Sequence, residues 1–320
     1  MAAEAALIDR QKLVWRILVV NKIEQTKRKG IKDGQELTAW LYCAPALLLI
    51  CIFILVPFLL SIGFSFTNRM LVPRIGRPTA FVGLRNYIKL LTSSADLTAF
   101  MNTGIYALMV VPSIVIIGTI LAVFVNGKVR GIKLFRAIYF SPQVVTMTVV
   151  AVVWSFIFSP GSDGLLNSLM RAIGIGPQTW LNDSRLAMAC IAVMYIWQSI
   201  GLQMVIVLGG LQYIPAELYE SCHLDGCNVV QRFWYITVPM LRNTLVYVVI
   251  STTINTLKLF TQVYVLTNGG PGDSTTSVVY LLYKAGFINN QVGYSSTIAV
   301  VFFLIVLLIS LLQNKLMEDK

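Results

Sequence analysis

Two polar stripes inside otherwise apolar runs hold the side chains that could do chemistry. Tyr195, Gln198, Ser199 and Leu202 are spaced i, i+3, i+4, i+7, and Thr252, Asn255, Thr256 and Leu259 repeat the spacing. That spacing places each set on one face of a helix. Polar groups in an apolar span are costly in lipid, so such stripes either line a cavity or hydrogen-bond to a neighbouring helix. Lining a cavity, they suit a sugar: a tyrosine face for the ring, amides and hydroxyls for its hydroxyl groups. Lys258 lies beside the second stripe, one turn from Asn255 and Gln262, and is the one charged residue in either run. It faces an anionic sugar in the cavity, pairs with an acid of a partner, or snorkels outward.

The second constellation reads as soluble. It runs from Ala216 through Gly226 to Pro239. Ile214-Pro215-Ala216-Glu217 is a helix start, with proline in the first turn and an acid near the amino end. Ser221 and Cys222 are small enough for a close approach. Gly226 can turn the chain between two short helices. Phe233, Trp234 and Ile236 supply apolar anchors, and Pro239 is expected to end the second helix. A helix–glycine–helix element with Glu217, Glu220 and Asp225 at its acidic tip suits a groove on a partner protein. A solvated amphipathic loop is the plainer reading.

The elements that position these residues follow from hydropathy. The chain is 57% hydrophobic and 12% charged, far from a soluble average. Six apolar runs, 40–62, 101–125, 138–158, 187–208, 244–266 and 293–313, are long enough to cross a bilayer. Lipid offers no partner to free backbone groups, so the runs are expected to be helices and the fold all-α. An even count places both termini on one side. Sixteen Lys and Arg fall on that side and eight on the other, so the termini and the Glu220 loop are expected in the cytoplasm. The net charge of +11 is thereby mostly topological, and no basic face interleaved with aromatics suggests nucleic acid. The expected organisation is a basic segment over 1–38, a six-span domain over 39–313 with the loop at 212–242, and a tail over 314–320. Residues 12–23 are too short to span; they form an interfacial amphipathic helix or part of a basic tail.

The loop's order of residues resembles the "EAA" loop of ABC-importer permeases, with Glu220, Gly226, Ile236 and Pro239 in register. Ser221 and Cys222 replace its two alanines, and Val238 replaces its leucine. Four other segments resemble sugar-importer permeases: Phe81-Val82-Gly83-Leu84-Arg85-Asn86-Tyr87, Arg130-Gly131 with Leu134-Phe135-Arg136 and Pro142, Gly164-Leu165-Leu166-Asn167, and Leu266-Thr267-Asn268-Gly269-Gly270-Pro271-Gly272. Together they cover about 39–313 and are similar to the maltose/glycerol-phosphate branch of type I ABC importers, specifically the larger maltose permease chain. The resemblance implies a transmembrane pore subunit in a bacterial or archaeal cell membrane. It implies a second, different permease chain, two ATP-binding cassette subunits and an extracytoplasmic solute-binding protein as partners. It assigns Glu220 to a salt bridge with an ATPase arginine, and it places sugar contacts on the two stripes. Transport would follow alternating access, with a sugar, an oligosaccharide or a glycerol phosphate as cargo.

The chain has no G-x-x-x-x-G-K-[ST] loop; Gly127-Lys128 lacks the upstream glycine and is followed by valine. No cofactor is therefore expected in this chain, and ATP with magnesium belongs to the partner ATPase. Cys222, His223 and Cys227 would need a fourth ligand to hold zinc, so no metal is expected. A channel filter, an inverted repeat and a convergent catalytic set are not evident, and the single histidine lies in the loop.

Overall fold

The computed structural model describes residues 33–76, 78–127, 131–161 and 164–318. The segment 12–23 lies outside them. Among the described residues the regular elements are all helices, beside one isolated antiparallel bridge, Thr67 to Phe81. Two units divide at Leu60 and Ser61.

α1 (Asp33–Ile50) passes through one π-turn (Cys51–Leu55) into α2 (Val56–Ser65), whose residues 61–65 belong to the second unit. The stretch Thr38–Ser65 is long and apolar enough to cross a membrane, and most of its large apolar side chains are exposed, as a lipid-facing helix requires.

The second unit holds α3 (Arg85–Thr92), α4 (Ser94–Val125), α5 (Ile132–Val144), α6 (Met147–Ile157), α7 (Leu165–Ala172) and α8 (Ala187–Gln212). It continues with α9 (Ala216–Leu224), α10 (Val229–Arg232), α11 (Val238–Met240), α12 (Arg242–Leu257), α13 (Thr261–Leu266), α14 (Val278–Tyr283) and α15 (Val292–Glu318). Span-length apolar helices cover Ser94–Val125, Ala187–Gln212, Arg242–Leu266 and Val292–Leu316. With Thr38–Ser65 they make five among the described residues, or six if the bent pair α5 and α6 counts as one span.

That pair corrects the expectation of one helix over 138–158. The chain bends by 99° between α5 and α6. Pro142 has no N–H to give the Ile138 carbonyl, and the Ser141 hydroxyl takes that carbonyl instead at 2.9 Å. Val144, Val145 and Thr146 follow, a β-branched run with low helix preference. Val145 (ψ 135) and Thr146 (ψ 142) are extended, and a new helix starts at Met147.

The central packing is α4 along α8, with α5 and α12 also against α8. Small residues set the approach. Gly118 of α4 lies where a side-chain carbon would meet Gln203 at 3.2 Å. Tyr106, Val110 and Ile114 of α4 bury against Ile191, Ala192 and Ile200 of α8, Leu259 just past α12, and Val263 of α13.

Two of the quoted motifs outside the stripes, those ending at Tyr87 and at Asn167, serve as clamps. The Asn86 amide donates to the Ser65 and Thr67 carbonyls at 2.9 Å each, and the Tyr87 hydroxyl bonds Ser65 at 2.7 Å. Asn167, 1% exposed, accepts from Trp180 Nε1 at 2.8 Å and from the Gln178 N–H at 3.0 Å. Its amide donates to the Gln178 and Gly161 carbonyls. These residues pair otherwise orphaned loop backbone, which explains their place in the pattern without any contact to cargo.

Candidate functional site

A cavity of about 450 Å³ opens where α4, α5, α6, α8 and α12 meet. Tyr195, Gln198, Ser199, Leu202, Thr252, Asn255 and Lys258 line it, together with Ile114, Gln143, Val145, Met147 and Gln203. Two of the stripe residues stand elsewhere. Thr256 is buried and outside the lining, and Leu259 is buried in the core beside α4 and α8.

Leu259 departs because the fifth span is not one continuous helix. α12 ends at Leu257, Lys258 caps it, and Phe260 (φ −141, ψ −65) precedes α13. The i+7 spacing from Thr252 therefore does not carry across. The break is held from outside the span: the Ser277 hydroxyl donates to the Leu259 carbonyl at 2.5 Å. The first break is held in the same way, by Gln198 Nε2 donating to the Val145 carbonyl at 2.9 Å. Irregular backbone at membrane depth is tolerated where it borders protein or a cavity. Val145, Met147 and Lys258, which flank the two breaks, all line this cavity.

The walls hold unused hydrogen-bonding capacity. Gln198 Oε1, Gln203 Oε1 and Thr252 Oγ1 are buried without a partner. Such atoms are costly unless something in the cavity bonds them. Sequence reasoning missed Ile114, which has only an apolar side chain in an apolar run, and Gln143, Val145, Met147 and Gln203. Gln203 had a signal, as an amide in an apolar run; Gln143, Val145 and Met147 come to the cavity only through the bend.

The loop between α8 and α12 forms a second surface. α9 carries Glu217, Glu220 and Ser221 exposed, and Asp225 and Gly226 are exposed just beyond it. Gly226 has φ +76, the left-handed turn that a glycine accepts without strain. Asn228 and Gln231 form a capping box that starts α10. The helix then runs through a π-turn (Phe233–Thr237) into α11. Pro239 therefore does not end that helix: it sits in the last turn, Val238–Met240, and the chain turns at Leu241. Ile236 is half-buried, while Leu224, Val229, Val230 and Trp234 are exposed. No ion pair engages Glu217, Glu220 or Asp225 among the described residues.

Cys222 faces the opposite way, at 5% exposure. A hydrogen bond with Cys227, helped by desolvation, pushes its thiol up to about 11. The thiolate is the reactive form, so at pH 8 about one molecule in a thousand presents it. Folded protein is expected to take up iodoacetamide at Cys222 at least ~100-fold more slowly than the denatured chain, as read by mass spectrometry. Equal rates would mean that Cys222 is neither buried nor bonded to Cys227. Among the described residues, no three His, Cys, Asp or Glu side chains are grouped to hold a metal ion.

Residues 93–318 match the family of binding-protein-dependent transport system inner membrane components. The chain belongs to that family. The match takes in the whole cavity lining and the whole Glu220 loop. The permease is 33% identical over 287 residues to the probable ABC transporter permease protein YurN of Bacillus subtilis (strain 168), covering 88% of this chain and 97% of that one. It is 31% identical to the arabinooligosaccharides transport system permease protein AraP of the same organism, covering 91% and 92%. Its fold matches a chain in the crystal structure of a bacterial alginate ABC transporter in complex with alginate pentasaccharide-bound periplasmic protein. That match has a TM-score of 0.78 at 19% identity and covers 89% of this chain and 95% of the other. The permease is thus an inner-membrane, multi-pass transport component with the importer fold.

Proposed function

We propose that this chain is a pore-forming permease subunit of a binding-protein-dependent ABC importer that carries a sugar or oligosaccharide by alternating access. The observation that carries the reading is the cavity: two polar stripes and two helix breaks meet inside apolar spans, and Gln198, Gln203 and Thr252 in its lining hold buried polar atoms without a partner. Relatives named for arabinooligosaccharides, lactose, and trehalose and maltose support a sugar as cargo.

In this reading Tyr195, Gln198, Ser199, Leu202, Thr252, Asn255 and Lys258 touch cargo. Thr256 and Leu259 back them. A second permease chain completes the pore, and a solute-binding protein delivers the sugar. Two ATP-binding cassette subunits hold ATP and magnesium and dock on the loop through Glu217, Glu220, Ser221, Asp225 and the exposed apolar side chains. Gly226, Ile236 and Pro239 shape that loop, and Cys222 supports it from inside. The loop and both termini then lie in the cytoplasm of a bacterium or archaeon. ATP must bias a two-state element, because a ligand shifts states only by its differential affinity; the α9–α11 loop is the lever.

The test is ATPase activity of the reconstituted complex, stimulated by sugar-loaded binding protein. Glu220→Ala is expected to lower the stimulated rate by at least about tenfold, since truncating one partner of a docked charge pair costs about 2–5 kcal/mol. A stimulated rate unchanged by Glu220→Ala would remove the docking role. A rate indifferent to binding protein would remove the importer reading.

A further inference from the structure

The geometry points to Lys258 as a specificity-determining residue, one that makes the cavity select a sugar bearing an anionic group. The inference rests on the sugar-importer reading and sharpens it. Lys258 is exposed to the cavity, and Tyr195 is the one other titratable side chain in the lining. No carboxylate lines the cavity, and no hydrogen bond or ion pair engages Lys258 among the described residues.

An ionisable side chain inside a membrane span is expensive and calls for a partner or a polar solute. Here the position also holds the charge in place. Lys258 caps the carboxyl end of α12, where free carbonyls favour a cation. Snorkelling does not fit a side chain that lines the cavity, and pairing with an acid of the second permease would lower uptake of charged and neutral probes alike. The unused walls complete the recognition. Gln198 and Gln203 are each 5% exposed, and their Oε1 atoms have no donor. Thr252, 2% exposed, has an unpartnered hydroxyl. Amide oxygens accept hydrogen bonds from sugar hydroxyls, while the ammonium takes a carboxylate or a phosphate. A volume of about 450 Å³ is in the range of small-molecule sites.

The experiment uses the whole transporter in proteoliposomes with its own binding protein. Trigalacturonate, glucose 6-phosphate and maltotriose are the probes, first titrated against the binding protein alone and then followed as uptake. The binding protein and the wild-type complex are expected to prefer trigalacturonate or glucose 6-phosphate over maltotriose, and which of the two is carried separates carboxylate from phosphate. Lys258→Met is expected to cut uptake of that anion by at least about tenfold, the effect of losing one charge-assisted hydrogen bond. Lys258→Arg is expected to keep most of it. Three results overturn the inference while leaving the importer reading intact: a binding protein that holds only maltotriose, maltotriose uptake that Lys258→Met leaves unchanged with no anion carried, or an equal fall for charged and neutral probes. A complex that carries no probe of either charge overturns the sugar reading itself, and the inference with it.

Discussion

Gly201→Ala is expected to unfold or disassemble the permease at temperatures the wild type withstands. Gly201 lies in the middle of α8, and a Cβ built there falls 2.0 Å from the Tyr139 carbonyl oxygen and 3.0 Å from Phe140 Cα. Both neighbours are backbone of α5, so no side chain can rotate aside. α5 must move away from α8, and it carries Gln143 and Val145 of the cavity wall with it. Overpacking a fitted contact costs about 1–3 kcal/mol and sometimes more. Gly209→Ala is the control: the same helix has nothing within 4 Å at that position, so alanine there is expected to be neutral or to stabilise by up to about 1 kcal/mol. The comparison is read as the melting temperature of each purified variant in detergent, alongside uptake. A Gly201→Ala protein that melts with Gly209→Ala would mean that α5 and α8 do not touch as described.

The stripes were legible because two simple rules coincide in them. A helix repeats every 3.6 residues, and a polar group in an apolar run needs a reason. Tyr195, Gln198, Ser199, Leu202, Thr252, Asn255 and Lys258 therefore reach one cavity although the two sets are far apart in the chain. The breaks were hidden for different reasons. Pro142 and the Val-Val-Thr run marked the first, but hydropathy reads straight through them. Lys258-Leu259-Phe260 contains no helix breaker at all. That break depends on Ser277, eighteen residues past Leu259, reaching its carbonyl, and tertiary contacts of this kind leave no local pattern. Hence Leu259 was placed on the cavity face and lies in the core. The loop was legible as helix–glycine–helix because Gly226 and the Asn228–Gln231 box act locally. Which side of α9 Cys222 takes depends on how that helix rests on the helices behind it.

Gln198→Leu is expected to damage both stability and transport, and the pair of effects identifies what Gln198 does. Its Nε2 is the donor that satisfies Val145 O at the bend, at 2.9 Å. Leucine has nearly the same volume and no donor, so the part-buried carbonyl loses its partner, at a cost of up to about 1–3 kcal/mol. The bend cannot simply straighten to recover the bond, because Pro142 blocks one helical hydrogen bond and Val145 and Thr146 are extended. The third span then loses its fixed angle beside the cavity. Asn255→Ala is the discriminating partner: Asn255 lines the same cavity, is exposed to it, and has no bond within the described residues. That change is expected to weaken uptake while leaving the melting temperature near that of wild type. If Gln198→Leu also leaves the melting temperature unchanged and lowers only uptake, Gln198 serves cargo alone and the bend is held by other contacts. If both variants lower stability together, the cavity is a packing element whose polar groups bond one another, and cargo must pass elsewhere.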